Sequence, residues 1–302
     1  MPKKIQEEYM QRREMLKQSA ALGLMAVVPR SLFSSFPAAS RSYADGEMPV
    51  AFVMSDNAVV IDFAGPWEIF SAAMPNVDGK MTMPFKPYMV AESSKPIEAG
   101  NGMRIVPNYT FGDAPAPKII VIPAQSDPSE AMLAWIREAS RTADLTMSIC
   151  TGAFVLAKTG LLSGKRATTH HGACFDLGHQ YPDIHVVRGV RYVDDGNKVA
   201  TSGGLSCGID LALHVVDRYY GRQTATETAF NEEYQSKGWM HPEQSSEYAH
   251  YYIKGKPMCP VCGMSVDVSS AVKSVYRGDT YYFCMATHKQ IFDAIPEQVL
   301  AS

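Results

Sequence analysis

The chain has 302 residues, 46% of them apolar, and a net charge of −3. That length holds one large domain and something small beside it, and the apolar fraction is that of an ordinary globular protein. The charge balance gives no reason to expect nucleic acid or an acidic surface as partner. The six cysteines form two groups: Cys150, Cys174 and Cys207 are scattered, whereas Cys259, Cys262 and Cys284 cluster near the C-terminus. This split points to two cysteine chemistries rather than a disulfide framework.

Residues 1–44 do not read as fold. Arg12-Arg13 precedes Met15-Leu16, Lys17 and the apolar run Ala20–Val28, and Ser42-Tyr43-Ala44 supplies small residues for a signal peptidase. The order resembles a twin-arginine export signal cut after Ala44. The apolar run is shorter than the ~20 residues that span a bilayer. An amphipathic helix or an uncleaved anchor is the alternative. Export implies a periplasmic protein, with the twin-arginine translocase as a passing partner.

From Met48 strands and helices alternate. Pro49–Met54 is a first strand. A helix opens at Asp62, with Pro66 in its first turn. Pro87–Ala91 is a second strand, and Gly100-Asn101-Gly102 turns between extended arms over 97–110. Lys118–Pro123 is continuously apolar, as in a strand buried on both faces. Ser129–Ala143 has helical spacing, and Leu145–Ile149 is another strand. Residues 186–202 form a hairpin turning at Asp195-Gly196, and Gly208–Tyr220 is an apolar helix on which His214 is a core residue. The pattern predicts an α/β fold, a mostly parallel sheet sandwiched by helices. Sites in such folds form at the carboxyl ends of strands. Residues 45–235 make this domain, the polar stretch 236–257 a linker, and 258–302 a small α+β module.

Cys150 follows the strand Leu145–Ile149 and precedes Thr151-Gly152 and the helical run Ala153–Lys158. A cysteine at a strand-to-helix corner faces free N–H groups and the positive end of the macrodipole, which favour a thiolate nucleophile. A buried structural cysteine is the competing reading, and packing is the expected role of Cys174 and Cys207.

In the C-terminal module, Cys259-Pro-Val-Cys262 is followed by a hairpin turning at Arg277–Asp279, then by Cys284 and His288. Three thiolates and an imidazole are a tetrahedral set for zinc, or for copper. Cys284 and His288, four apart, share a helix face. A structural metal helps so small a module to fold. A Cys259–Cys262 disulfide would leave Cys284 and His288 unexplained.

Two resemblances follow from these residues. Asp62-Phe-Ala-Gly-Pro-Trp-Glu, Ser148-Ile-Cys150-Thr151-Gly152, Leu161–His170 and Ser202–Asp210 resemble the ThiJ/PfpI superfamily, which has the class I glutamine amidotransferase-like fold. The likeness is closest to its isonitrile hydratase-like branch. Transcription regulators with an added helix-turn-helix share these motifs, but no such segment follows here. Pro260–Met264 and Tyr281–Cys284 resemble the YHS domain, with Cys259 where an aspartate is common and His288 where a cysteine often stands.

The first resemblance implies Cys150 as nucleophile, Asp62 as acid/base, Thr151 beside the nucleophile, and Gly65, Ala124, Gln125 and His170 around a small-molecule pocket. Ala124-Gln125 replaces the usual Gly-Gly pair, so Gln125 narrows the pocket or adds a donor. Asp62 can also cap its helix. The resemblance implies addition of the Cys150 thiolate to a small electrophile, then hydrolysis, by a homodimer needing no cofactor in this domain. A glyoxalase- or deglycase-like action on carbonyls, or an exported metal-binding protein without catalysis, is the alternative.

Overall fold

The structure, a computed structural model, describes residues 46–244 and 253–301. The export signal expected over 1–44 lies outside the described residues, as does part of the expected linker. Among the described residues no helix is long and apolar enough to cross a membrane.

Seven strands form the main sheet: β1 (Met48–Val53), β2 (Phe85–Ala91), β3 (Tyr109–Thr110), β4 (Ile119–Ile122), β5 (Leu145–Ile149), β6 (Tyr192–Asp194) and β7 (Val199–Ser202). Their order is β6-β7-β5-β4-β1-β2-β3, and every neighbour is parallel except β6 with β7. β1, β4 and β5 are buried along their whole length, because helices cover both faces of the sheet. Alternation divides β1 between two cores. Val50 and Phe52 pack with α1 (Val60–Ala72) and α5 (Cys207–Asn231), whereas Ala51 and Val53 pack with α2 (Glu130–Thr142) and α3 (Gly152–Lys158). The Ser129 hydroxyl caps α2 by accepting the Met132 N–H at 3.2 Å.

Three local readings need correction. α1 begins at Val60, so Pro66 lies inside the helix rather than in its first turn, and the N-cap is Val59 rather than Asp62. Pro66 has no N–H to give the Asp62 carbonyl one turn back. The hairpin is shorter than 186–202, since His185-Val186 pairs instead with Arg166-Ala167. The helix expected to end at Tyr220 resumes beyond Gly221, whose φ of 82° breaks it without ending it.

The residues after α5 pack back on the sheet. The Tyr192 hydroxyl donates to the Trp239 carbonyl at 2.7 Å, and Trp239 is buried in the core. The part of the expected linker before residue 245 is therefore applied to the domain.

The C-terminal module is a hairpin, β8 (Val272–Tyr276) with β9 (Asp279–Phe283), followed by α6 (Ala286–Ala294) and α7 (Pro296–Leu300). Arg277 and Gly278, both at positive φ, make the two-residue turn that matches strand twist. Tyr281, Phe283, Ile291 and Phe292 form its small core, against which Phe175 of the α/β domain packs.

Candidate functional site: a buried thiol–carboxyl pair and a cysteine-histidine cluster

β1 is the point from which the chain runs first to β2 and β3, then back across to β4 and β5. Such a switch leaves a crevice beyond the strand ends. Asp62 reaches it after β1, Ala124 after β4 and Cys150 after β5. The structure thus assembles three sequence-identified residues from beyond three separate strand ends.

Cys150 has a φ of 58°, a strained conformation for a residue with a side chain. Neighbours on both sides hold it there. Its N–H donates to the Gly203 carbonyl at 3.1 Å, and its carbonyl accepts the Thr169 hydroxyl at 2.8 Å. A Cβ on Gly152 would lie 2.2 Å from the Ile122 carbonyl oxygen, so only glycine lets α3 leave the corner this close to β4. Thr151 supplies its backbone N–H to the sulfur.

Asp62 is fully buried. Its Oδ2 accepts the Ala124 N–H at 3.2 Å, and the Cys150 thiol and the Leu205 backbone N–H are its other polar neighbours. Among the described residues its Oδ1 has no conventional hydrogen-bond partner. Burial raises its pKa to about 6, against the lowering hydrogen bonds.

Burial and the Asp62 charge push the Cys150 pKa up to about 12, although Thr151 and Leu205 N–H groups face the sulfur. This corrects the expectation of a standing thiolate. α3 has only seven residues, and its N-terminus does not offset dehydration plus a carboxylate at close range. The resting pair is a neutral thiol beside a carboxylate.

Other sequence candidates take different places. Gly65 lies where α1 crosses α5; a Cβ there would be 2.7 Å from Ile209 Cγ1, so its role is close helix packing. Gln125 neither fills the pocket nor offers it a free side chain, since its Oε1 accepts the Ser55 hydroxyl at 2.9 Å and its Nε2 donates to the Val53 carbonyl at 3.0 Å. The Ala124 N–H is spent on Asp62. His170 lines a cavity of about 130 Å³ with His171, Cys174, Gly203, Gly204, Leu205 and Cys207 among its walls. Burial lowers the pKa of His170 and of His171, so both are neutral near pH 7. His214 is held by Asp194 at 2.9 Å and faces the Tyr192 ring.

Leu205 was not singled out from sequence. It too has positive φ, 56°, and its N–H points at both Cys150 and Asp62. Its signal was the Gly203-Gly204 pair in front of it, a backbone device at the start of α5.

In the C-terminal module, ligand atoms of Cys259, Cys262, Cys284 and His288 all lie within 4.8 Å of one another. His288 Nδ1 is 3.1 Å from Cys284 Sγ and 3.4 Å from Cys259 Sγ, and Cys262 and Cys284 sulfurs are 3.7 Å apart. The sulfurs and the one ring nitrogen converge on a common centre, which fits a tetrahedral metal. All four cysteines and histidines expected to ligate are thereby brought together, and Cys259 and Cys262 are free thiols. The other ring nitrogen, Nε2, is 3.0 Å from Asp176 Oδ2 of α4 (Cys174–Gln180) in the α/β domain. Burial opposes the charged form of His288, but hydrogen bonds to Asp176 and Cys259 prevail and raise its pKa to about 10. Asp176 carried no local sequence signal.

A doubly covered parallel sheet with a cysteine at a strained strand-helix corner, opposed by a buried carboxyl, defines a class of α/β cysteine proteins. The sequence profile of the DJ-1/PfpI family matches residues 48–218, more than half of the chain, and the chain belongs to that family. The YHS domain profile matches residues 259–301. Isonitrile hydratase of Pseudomonas putida is 32% identical over 183 residues, which cover 59% of this chain and 75% of the hydratase. The HTH-type transcriptional regulator CdhR of Pseudomonas aeruginosa is 27% identical over 146 residues, 47% of this chain and 43% of the regulator. Among solved structures, a ThiJ/PfpI family protein from Pseudomonas syringae is similar with a TM-score of 0.56 and 25% identity, covering 70% of this chain and 85% of that one. Drosophila melanogaster DJ-1beta, at 18% identity, shares the fold with a TM-score of 0.53 over 63% of this chain and 100% of its own.

Proposed function

We propose that this protein is a cysteine-dependent hydratase of the isonitrile hydratase type, carrying a zinc- or copper-binding module. The observation that carries the first half is the buried Asp62 beside Cys150, a carboxylate poised to take the thiol proton. The likeness to isonitrile hydratase supports the substrate class.

The Cys150 sulfur attacks the terminal carbon of R–N≡C as Asp62 accepts the thiol proton and delivers it to that carbon. The product is a thioimidate, R–N=CH–S–Cys150. Asp62, again a carboxylate, takes a proton from water, and the hydroxide adds to the same carbon. Asp62 returns that proton to the nitrogen, the C–S bond breaks as the new hydroxyl gives its proton to the sulfur, and R–NH–CHO leaves. Net consumption is one water. N–H groups of Thr151 and Leu205 stabilise sulfur charge as it appears. A carboxyl with a pKa near 6 suits proton shuttling near neutral pH.

In the module, Cys259, Cys262, Cys284 and His288 would hold the metal, whose contribution is to crosslink the knuckle to α6. Export to the periplasm rests on the order of charged, apolar and small residues over 1–44. The homodimer is part of the same proposal, and light scattering checks it. The deciding experiment supplies an alkyl isonitrile in H₂¹⁸O and follows ¹⁸O-labelled formamide. Turnover that vanishes in Cys150→Ala and Asp62→Asn is expected; no formamide from the wild type overturns the hydratase reading.

A further inference from the structure

The C-terminal module meets the α/β domain at Gly172, next to His171 of the cavity wall; that cavity is lined by Thr169, Gly203 and Leu205, which bond or face Cys150, and not by Cys150 itself. A Cβ on Gly172 would lie 2.9 Å from the Cys262 carbonyl, so the ligand knuckle rests directly on this glycine. The Gly172 N–H donates to His170 Nδ1 at 3.2 Å. The His170 ring in turn presses on Gly204, where a Cβ would lie 2.3 Å from His170 Cδ2. The next residue is Leu205, whose N–H faces Cys150 and Asp62. A second bridge runs from His288 Nε2 to the Asp176 carboxylate, at 3.0 and 3.1 Å from its two oxygens. Phe175, beside Asp176, packs into the module's core.

A histidine that ligates a metal through one ring nitrogen usually gives its other N–H to a carboxylate, which orients the ring and strengthens the ligand. Here that carboxylate belongs to the neighbouring domain. We propose that Asp176 is the outer partner of the metal ligand His288, so that metal loading clamps the module onto α4 and fixes the His170–Cys174 wall next to Cys150. The inference rests on the metal-binding reading of the module, not on the hydratase reading. By linkage, whatever fills the cavity and steadies that wall also tightens metal binding.

The test uses the full chain with Zn²⁺ as probe. Zinc affinity is measured by competition with a chromogenic chelator in wild type, Asp176→Asn and Asp176→Ala. Hydrogen exchange over 168–180 and 203–206 is followed with and without zinc. Expected are about 10- to 100-fold weaker zinc binding in Asp176→Ala, a smaller loss in Asp176→Asn, which still accepts from Nε2–H, and zinc-dependent protection of both segments that the alanine variant lacks. Wild-type affinity in Asp176→Ala, or unchanged exchange in wild type on adding zinc, overturns the clamp while leaving the metal site standing. A wild-type chain that takes up no zinc removes the metal reading itself, and with it this inference.

Discussion

The Asp62 carboxyl faces the Cys150 thiol inside the protein: burial raises the proton affinity of both, the Asp62 charge raises that of the thiol further, and the thiol hydrogen bond lowers that of the carboxyl. The two groups arrive from different strand ends, and at rest the proton between them sits on sulfur. In the proposed reaction the thiolate forms only as its proton passes to Asp62 during attack.

This sets alkylation and turnover against each other. Asp62→Asn removes the charge that disfavours the thiolate, so iodoacetamide modification of Cys150 at pH 8 should rise by about tenfold or more. Hydration should fall because no group accepts the thiol proton. Peptide mass analysis of alkylated Cys150 beside formamide formation checks both. Slower alkylation in the variant would contradict the assigned role of Asp62.

Asp62 also costs stability. A carboxyl held at about 6 instead of its ordinary 3.8 keeps its proton longer in the folded than in the unfolded chain. The fold is thus strongest, as far as this group is concerned, below pH 3.8, and loses that contribution as pH rises to 6. At about 1.4 kcal/mol per pH unit the loss is about 3 kcal/mol above pH 6. Asp62→Asn should therefore melt higher than wild type at pH 7, and the gap should close between pH 6 and 4. Differential scanning calorimetry at four pH values decides it.

Gly152→Ala should be among the most damaging small substitutions. Its methyl would meet backbone on β4, the Ile122 carbonyl at 2.2 Å, which has no rotamer with which to yield. A loss of several kcal/mol follows from such overpacking. Gly204→Ala is a milder companion, since its 2.3 Å conflict is with the His170 side chain. Soluble yield and melting temperature should rank wild type, Gly204→Ala, Gly152→Ala in descending order.

Cys150→Ser should abolish turnover yet leave the metal content of the purified chain unchanged, because the two cysteine groups lie in separate clusters. Cys284→Ser should do the reverse to metal content. Elemental analysis of both proteins reads this directly.

Much of this arrangement was legible in the chain. β-branched runs and strand-helix alternation gave the parallel sheet, and the spacing of Cys259, Cys262, Cys284 and His288 gave the ligand cluster. Spacing along one segment reports residues that fold together locally. It does not report Asp176, which meets His288 from 112 positions away, nor the bonds that tie Gln125 to Ser55 and Val53. The ionisation of Cys150 escaped for a related reason. A helix N-terminus can be read from sequence, but the dehydration that overrides it depends on what the rest of the chain stacks above the sulfur.

The Tyr192–Trp239 bond has a practical consequence for anyone dividing this protein into pieces. A cut at 235, where polarity first suggests a seam, would strip the indole from its slot and leave a buried phenol without its acceptor. Fragments ended before Trp239 and Pro242, whose carbonyls accept from Tyr192 and Arg191, should be judged as damaged domains rather than as minimal ones.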